Sequence, residues 1–304
     1  MVPGMGGYSW RRIAAEMMYI VALSSLVSLP LAAIYYVAEP RIEAAPFSEE
    51  EMGILAASLN VVIFMIVAAL GFFLMYFLII RRRTRILIVT FAVLFFLPTF
   101  TGVYLTAMVL LSVLTRPILP TLFIDAVISV VSMAFALIIT RVLLHDYPVG
   151  KKNAATITYC SLTGILLGVS LPLMTLLMLS LALAAYDFYN VRSGRLRKIL
   201  EGFGKNGNKR EFRNDPIENV SISFVGRNVE LGLGDLILYN ALVVRVLMSF
   251  DILHAVLAII GIFVGIAITS KFLERHTVYP GLPIPIVIAM AFALVPLLIP
   301  TGLL

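Results

Sequence analysis

The sequence predicts an all-α, polytopic membrane protein with nine transmembrane helices, and three observations predict it. The 304 residues are 61% hydrophobic and 13% charged, with a mean hydropathy of +1.03, where soluble domains carry about 25% charged residues. Apolar stretches of about 20 residues, the length that crosses a bilayer, recur along the whole chain. The charged residues cluster at the ends of those stretches. The formal net charge of +6 is therefore a topological signal and no footprint for nucleic acid. A single cysteine, Cys160, leaves no internal disulfide and no cysteine metal cage, and the three histidines, His145, His254 and His276, are far apart with no HExxH pattern.

Taken in order, the apolar stretches place spans near 13–38, 55–80, 86–114, 117–143, 154–171, 172–192, 231–249, 252–271 and 280–301. The first begins after Arg11-Arg12 and is too long for the apolar region of a cleavable signal peptide, about 7–15 residues. The third is interrupted at Pro98 and Gly102, so a kink or a break into two segments is expected there. The fifth and sixth form one apolar run divided at Pro172, which reads as a hairpin between two helices.

The positive-inside rule gives one orientation for every loop. With the amino terminus cytoplasmic, the inside segments hold Arg11-Arg12, Arg81-Arg82-Arg83-Arg85, Arg141, Lys151-Lys152, the loop 193–230, and Lys271 with Arg275. The outside segments hold Arg41 and Arg116, and the first outside loop carries Glu39, Glu43, Glu49, Glu50 and Glu51. An odd number of spans puts the carboxyl terminus outside. The chain divides into a six-helix part over 1–192, a cytoplasmic loop over 193–230 and a three-helix part over 231–304, all within one membrane domain. The loop is rich in Gly, Lys, Arg and Asn to Asn214 and reads as solvated. Val220 to Val225 then alternates apolar and polar residues as a short strand does. That strand either closes a local hairpin or pairs with an extended substrate segment.

Asp187 and Asp235 carry the chemistry. Asp187 ends the apolar run Leu181-Ala-Leu-Ala-Ala-Tyr186, and Asp235 follows Leu231-Gly232-Leu233-Gly234. A carboxylate within hydrocarbon costs roughly 2.5–3.5 kcal/mol on insertion scales. Asp187 lies about five residues before the inside end of the sixth span and Asp235 about four after the start of the seventh, so both sit roughly 6–8 Å below the inside face at 1.5 Å per residue. Two close carboxylates cannot both ionise cheaply, so the pair holds a shared proton and titrates as a unit. The ionised member can deprotonate a water while the protonated member polarises a scissile carbonyl. That chemistry calls for no cofactor and no metal.

Gly232 and Gly234 fit such a site, because a missing side chain lets backbone or substrate approach closely; small residues also line ordinary helix contacts. Tyr239, one turn beyond Asp235, is placed to line the site. Tyr279-Pro280-Gly281-Leu282-Pro283-Ile284-Pro285 has prolines at alternate positions, which keeps the start of the ninth span non-helical. At membrane depth, extended backbone is tolerated where it lines a cavity or is covered by protein.

Tyr186-Asp187, Leu231-Gly232-Leu233-Gly234-Asp235 and Pro280-Gly281-Leu282-Pro283 resemble, in order and spacing, the YD, GxGD and PALP motifs of the presenilin and signal peptide peptidase family. That family comprises intramembrane aspartyl proteases with nine spans. The glycine-rich motif and the cytoplasmic amino terminus are more similar to presenilin than to signal peptide peptidase. The resemblance implies that Asp187 and Asp235 are the catalytic pair, and that Pro280, Gly281, Leu282 and Pro283 shape the site and contact substrate. Gly281 stands where the family usually has Ala. The short insert before the second Asp resembles a compact archaeal homologue that needs no partner subunits, with homo-oligomerisation left open. The implied partners are transmembrane peptides or membrane-protein substrates and the lipid bilayer. Prepilin-type peptidases also carry GxGD, but with Lys two residues after it, where this chain has Ile237.

Other polar residues have structural readings. Asp125 and Arg245 share an outer depth and are expected to pair, with Asp251 a rival for Arg245. Asn60 and the scattered Ser and Thr are expected to bond helix to helix, Glu16 to be interfacial, Asn190 to share a face with Asp187, and Arg81 to Arg85 to anchor topology. The functional alternative is a proton-coupled transporter that uses the buried acids as proton carriers; it lacks the internal repeat expected between halves.

Overall fold

The computed structural model describes residues 10–38, 42, 44–81, 83–114, 121–192, 223–225, 230–273 and 281–295. Ten helices run through them: α1 Trp10–Ala38, the one-turn α2 Glu49–Met52, α3 Ile54–Ile80, α4 Thr84–Leu114, α5 Thr121–Leu144, α6 Val149–Ser170, α7 Leu173–Arg192, α8 Leu233–Ser249, α9 Ile252–Leu273 and α10 Pro283–Leu294. Apart from α2, each matches one apolar stretch of the sequence. Five are long and apolar enough to cross a bilayer by themselves, namely α1, α3, α4, α5 and α9, and α7 and α10 are shorter apolar helices. The protein is thus an integral, multi-pass, helical membrane protein.

Helix α8 is the centre of the structure. It packs against α1, α6, α7 and α9, and Leu236, Ala241, Leu242, Val243 and Val244 are wholly buried. A helix buried all round needs small partners, and α6 supplies them. A Cβ at Gly164 would fall 2.5 Å from Asn240 Cβ, and one at Gly168 would fall 2.6 Å from the Ala241 carbonyl oxygen. The same device joins α9 to α10, where Gly261 lies against the backbone of Ala289 and Gly265 against that of Pro285. Both are four-residue glycine spacings of the kind that lets membrane helices touch along their backbones. Polar side chains add a buried network: Asn240 Nδ2 donates to Ser24 Oγ (2.6 Å) and to the Leu236 carbonyl (2.9 Å), Ser28 Oγ donates to Asn240 Oδ1 (2.9 Å), and Ser161 Oγ donates to the Ser24 carbonyl (3.1 Å). The expectation that Ser, Thr and Asn bond helix to helix holds here, between α1 and α4 (Tyr35–Thr106, 3.1 Å), and between α3 and α7 (Asn60–Thr175, 3.2 Å).

Several expectations are corrected. Helix α4 is one helix through Pro98 and not two segments. Proline removes the donor to the Leu94 carbonyl, and Tyr159 Oη on α6 donates to that oxygen instead, at 3.2 Å. The seventh helix starts at Leu233, because Glu230–Gly232 is a strand; it pairs antiparallel with Ser223–Val225, Phe224 opposite Leu231. Residues 220–222, with most of the loop 193–230, lie outside the described residues, as do Pro280 and the side chain of Asn190. The prolines before the ninth span were expected to keep it non-helical, yet Pro283 and Pro285 occupy the first turn of α10, where a missing N–H costs no helical bond. Asp125 accepts a hydrogen bond from Tyr104 Oη on α4, a partner the sequence did not suggest, and Asp251 is engaged by His254 Nδ1 at 2.7 Å.

The backbone contact at Gly265 leaves no room for relaxation. Gly265→Ala is expected to destabilise the protein by about 1–3 kcal/mol, the usual cost of overpacking. Gly71→Ala, where a Cβ meets nothing within 4 Å, should be neutral. Denaturant titration in detergent micelles measures both, and equal stability of the two variants would contradict the α9–α10 seam.

Candidate active site

Asp187 lies near the carboxy-terminal end of α7, and Asp235 is the third residue of α8. Helix α8 begins here because the strand Glu230–Gly232 ends in extended backbone at Gly232 (φ −64°, ψ 146°). No side chain caps α8, so its first-turn N–H groups and helix dipole favour an acid at this position. The two carboxylates line one cavity of about 380 Å³. Its remaining walls are Leu167 from α6, Leu183 and Tyr186 from α7, Gly234, Ile237 and Leu238 from α8, and Leu282 from the approach to α10. Apart from the two acids and Tyr186 the wall is aliphatic, so charge inside it is poorly screened.

The segment before α10 reaches both acids. The backbone of Leu282 and Gly281 faces the Asp187 carboxylate. On the other side, a Cβ built on Gly281 would fall 2.8 Å from Asp235 Oδ2. Tyr239 Oη donates to the Gly281 carbonyl at 3.0 Å. One residue thus meets Asp187, Asp235 and Tyr239 through its backbone and its absent side chain.

The expected site residues fall into place unequally. Asp187, Asp235, Tyr186, Gly234 and Leu282 line the cavity. Gly232 stands beside Asp235, its Cβ position 3.7 Å from Oδ2. Tyr239 does not line the cavity as expected; it is buried behind it and fixes Gly281. Pro283 starts α10 and is absent from the lining, and Pro280 lies outside the described residues. Sequence reasoning missed Leu167, Leu183, Ile237 and Leu238, for which apolar residues in an apolar chain give no signal. It also missed the contact of Cys160 with the α8 start, where Sγ lies 3.7 Å from the Leu233 carbonyl oxygen.

A helical membrane protein with two acids facing one cavity defines a class, the polytopic proteins with a paired-carboxylate site. Comparison with known proteins narrows it. Residues 201–301, which contain Asp235 and Gly281 but not Asp187, match the family model described as Presenilin. The fold is similar to two solved structures of a presenilin family intramembrane aspartate protease. In the C222 crystal form the TM-score is 0.57 at 18% identity, covering 94% of this chain and 97% of that one. In the P2 form it is 0.60 at 18% identity, covering 98% of each. No curated protein matches the sequence. The chain therefore has the presenilin fold along its length, and its carboxy-terminal third carries the presenilin sequence pattern.

Two acids against one aliphatic wall are held together at the expense of stability, a common compromise in functional sites. Asp235→Asn keeps the shape and removes one ionisable group. Its thermal midpoint in detergent should rise, by the equivalent of about 1–2 kcal/mol. An unchanged or lowered midpoint would mean that the acids do not oppose one another.

Proposed function

We propose that this chain is an intramembrane aspartyl protease, an aspartic endopeptidase that hydrolyses peptide bonds within or near transmembrane segments of membrane-protein substrates. Asp187 and Asp235 are its catalytic pair and water its nucleophile. The observation that carries the reading is the shared cavity: two carboxylates on different helices, one aliphatic wall, and the Gly281–Leu282 backbone close to both. The likeness to presenilin family intramembrane aspartate proteases supports it.

The steps follow from one proton shared by two acids. The ionised carboxylate takes a proton from water as the oxygen attacks the scissile carbonyl. The protonated carboxyl donates toward the carbonyl oxygen, giving a neutral gem-diol. Transfer of a proton to the amide nitrogen then breaks the C–N bond and releases acid and amine. A substrate helix hides its carbonyls in its own hydrogen bonds, so it must unwind locally, and helices weakened by Gly or Pro are favoured. Gly234, which has open space where a Cβ would be, leaves room for that extended segment. Among the described residues no third strand pairs with the 223–225/230–232 ladder, whose edge can pair with it.

Nine crossings with a cytoplasmic amino terminus and an extracytoplasmic carboxyl terminus complete the proposal, as does activity without obligatory partner subunits, as in a compact archaeal homologue. The transporter alternative gains no observation in its favour.

The test is cleavage of a single-span peptide by purified protein in liposomes. Asp187→Asn and Asp235→Asn should each lower turnover about a thousandfold or more, equivalent to about 4 kcal/mol of barrier, with the fold kept. Full turnover by either variant would end the dyad assignment. Tyr239→Phe leaves the Gly281 carbonyl without its buried donor, worth about 1–3 kcal/mol, and should cost about tenfold in kcat. Hydroxyl-bearing isosteres of the gem-diol should compete with the peptide.

A further inference from the structure

Helix α7 begins without a cap of its own. Leu171 and Pro172 precede it, and neither side chain can accept a hydrogen bond, so the first-turn N–H groups of α7 need an acceptor from elsewhere. Glu49 supplies it from the first loop, more than 120 residues away. Its Oε1 accepts from the Thr175 N–H (2.6 Å) and Thr175 Oγ1 (2.6 Å), and its Oε2 accepts from the Met174 N–H (3.3 Å). Asn60 of α3 closes the arrangement: Nδ2 donates to Thr175 Oγ1 (3.2 Å) and to the Phe47 carbonyl (2.9 Å), and Oδ1 accepts from the Phe47 N–H (3.0 Å). Of the clustered acids, Glu50 and Glu51 are exposed while Glu49 is half-buried.

This lock matters because the two acids ride on differently held parts. Asp235 is on α8, inside the main core and its Ser24–Ser28–Asn240 network. Asp187 is on α7, whose neighbours are α3, α8 and α10. Among the described residues α3 adds none to the main core; its Val61, Phe64 and Met65 pack in a small cluster with Leu176 and Leu179 of α7 and Ala241 of α8, and α7 reaches the main core through Ala184. The first residue of α7 and Asp187 are 14 residues apart, a rod of about 21 Å, so the seat of the capped end sets the height of the acid at the other end.

We propose that Glu49 is a positioning residue for the reaction: by capping α7 from the first loop, it sets the seat of the helix that carries Asp187. The proposal rests on the protease reading. Glu49 touches no reacting atom, so its removal should act on turnover and leave peptide binding alone. It should also be replaceable by a cap built into α7 itself.

The experiment measures kcat and KM for the single-span peptide in liposomes. It compares wild type, Asp235→Asn, Glu49→Ala, Glu49→Gln, and Glu49→Ala combined with Pro172→Asp, which puts a capping carboxylate at the helix's own N-cap position. Glu49→Ala should lower kcat about tenfold with KM within about twofold. Glu49→Gln, which can still accept a hydrogen bond, should stay within about threefold of wild type. The double variant should recover most of the lost kcat. Wild-type kcat in Glu49→Ala, a loss expressed mainly in KM, or no recovery in the double variant would overturn the proposal while leaving the protease reading intact. A wild type no more active than Asp235→Asn would overturn both.

Discussion

The close approach of the Gly281–Leu282 backbone to both acids is the constraint on which the rest of the structure depends. Its backbone faces Asp187, its carbonyl takes the Tyr239 hydroxyl, and the missing Cβ of Gly281 lets Asp235 Oδ2 approach closely. Such a segment can be held only from behind, by the helix it leads into. Helix α10 is pressed onto α9 where Gly261 and Gly265 bare the backbone, and α9 in turn packs on α8 and α1. The glycine seam far from the acids and the glycine between them are therefore one device. The first brings two helix backbones into contact, and the second spends that closeness on the site.

Two kinds of attachment follow from this build. The α8 acid is anchored by packing on every side and by a hydrogen-bonded network in which Asn240 reaches α1 one turn beyond Asp235. The α7 acid is anchored from the far end of its helix, by the Glu49–Thr175–Asn60 lock, and faces the Gly281–Leu282 backbone at its own end. A peptide to be cut must enter a cavity of about 380 Å³ from lipid, and some wall has to yield. Helix α7 is backed by α3, whose apolar side chains are mostly exposed.

Much of this was legible in the sequence because the membrane imposes a simple code. Apolar length marks a helix, so the nine stretches matched nine helices to within a few residues at most ends. An acid in hydrocarbon is costly, so Asp187 and Asp235 stood out and do share a cavity. What escaped notice is what the code does not price. Leu167 and Leu238 look like any other leucines until the fold turns them inward. The spacings Gly164–Gly168 and Gly261–Gly265 were there to be read, since four-residue glycine repeats are a known contact signal. Glu49 was not, because a cap supplied from another loop leaves no local pattern at the helix it caps. Tyr239 was placed in the cavity by helical spacing alone; spacing gives a face of α8, and Gly281, ahead of α10, meets Tyr239 there.

Non-helical backbone within a membrane survives only where it is covered by protein or lines a cavity. The Gly281–Leu282 segment, which leads into α10, meets this condition at the site: Tyr239 satisfies the Gly281 carbonyl and the Asp187 carboxylate lies against its backbone. The dependence runs both ways, since the same backbone also bounds the space left for Asp235. Pulling α7 away would uncover this backbone as well as separate the acids. The chain is thus built so that the arrangement able to share a proton between two carboxylates is also the one that leaves this backbone least exposed to hydrocarbon.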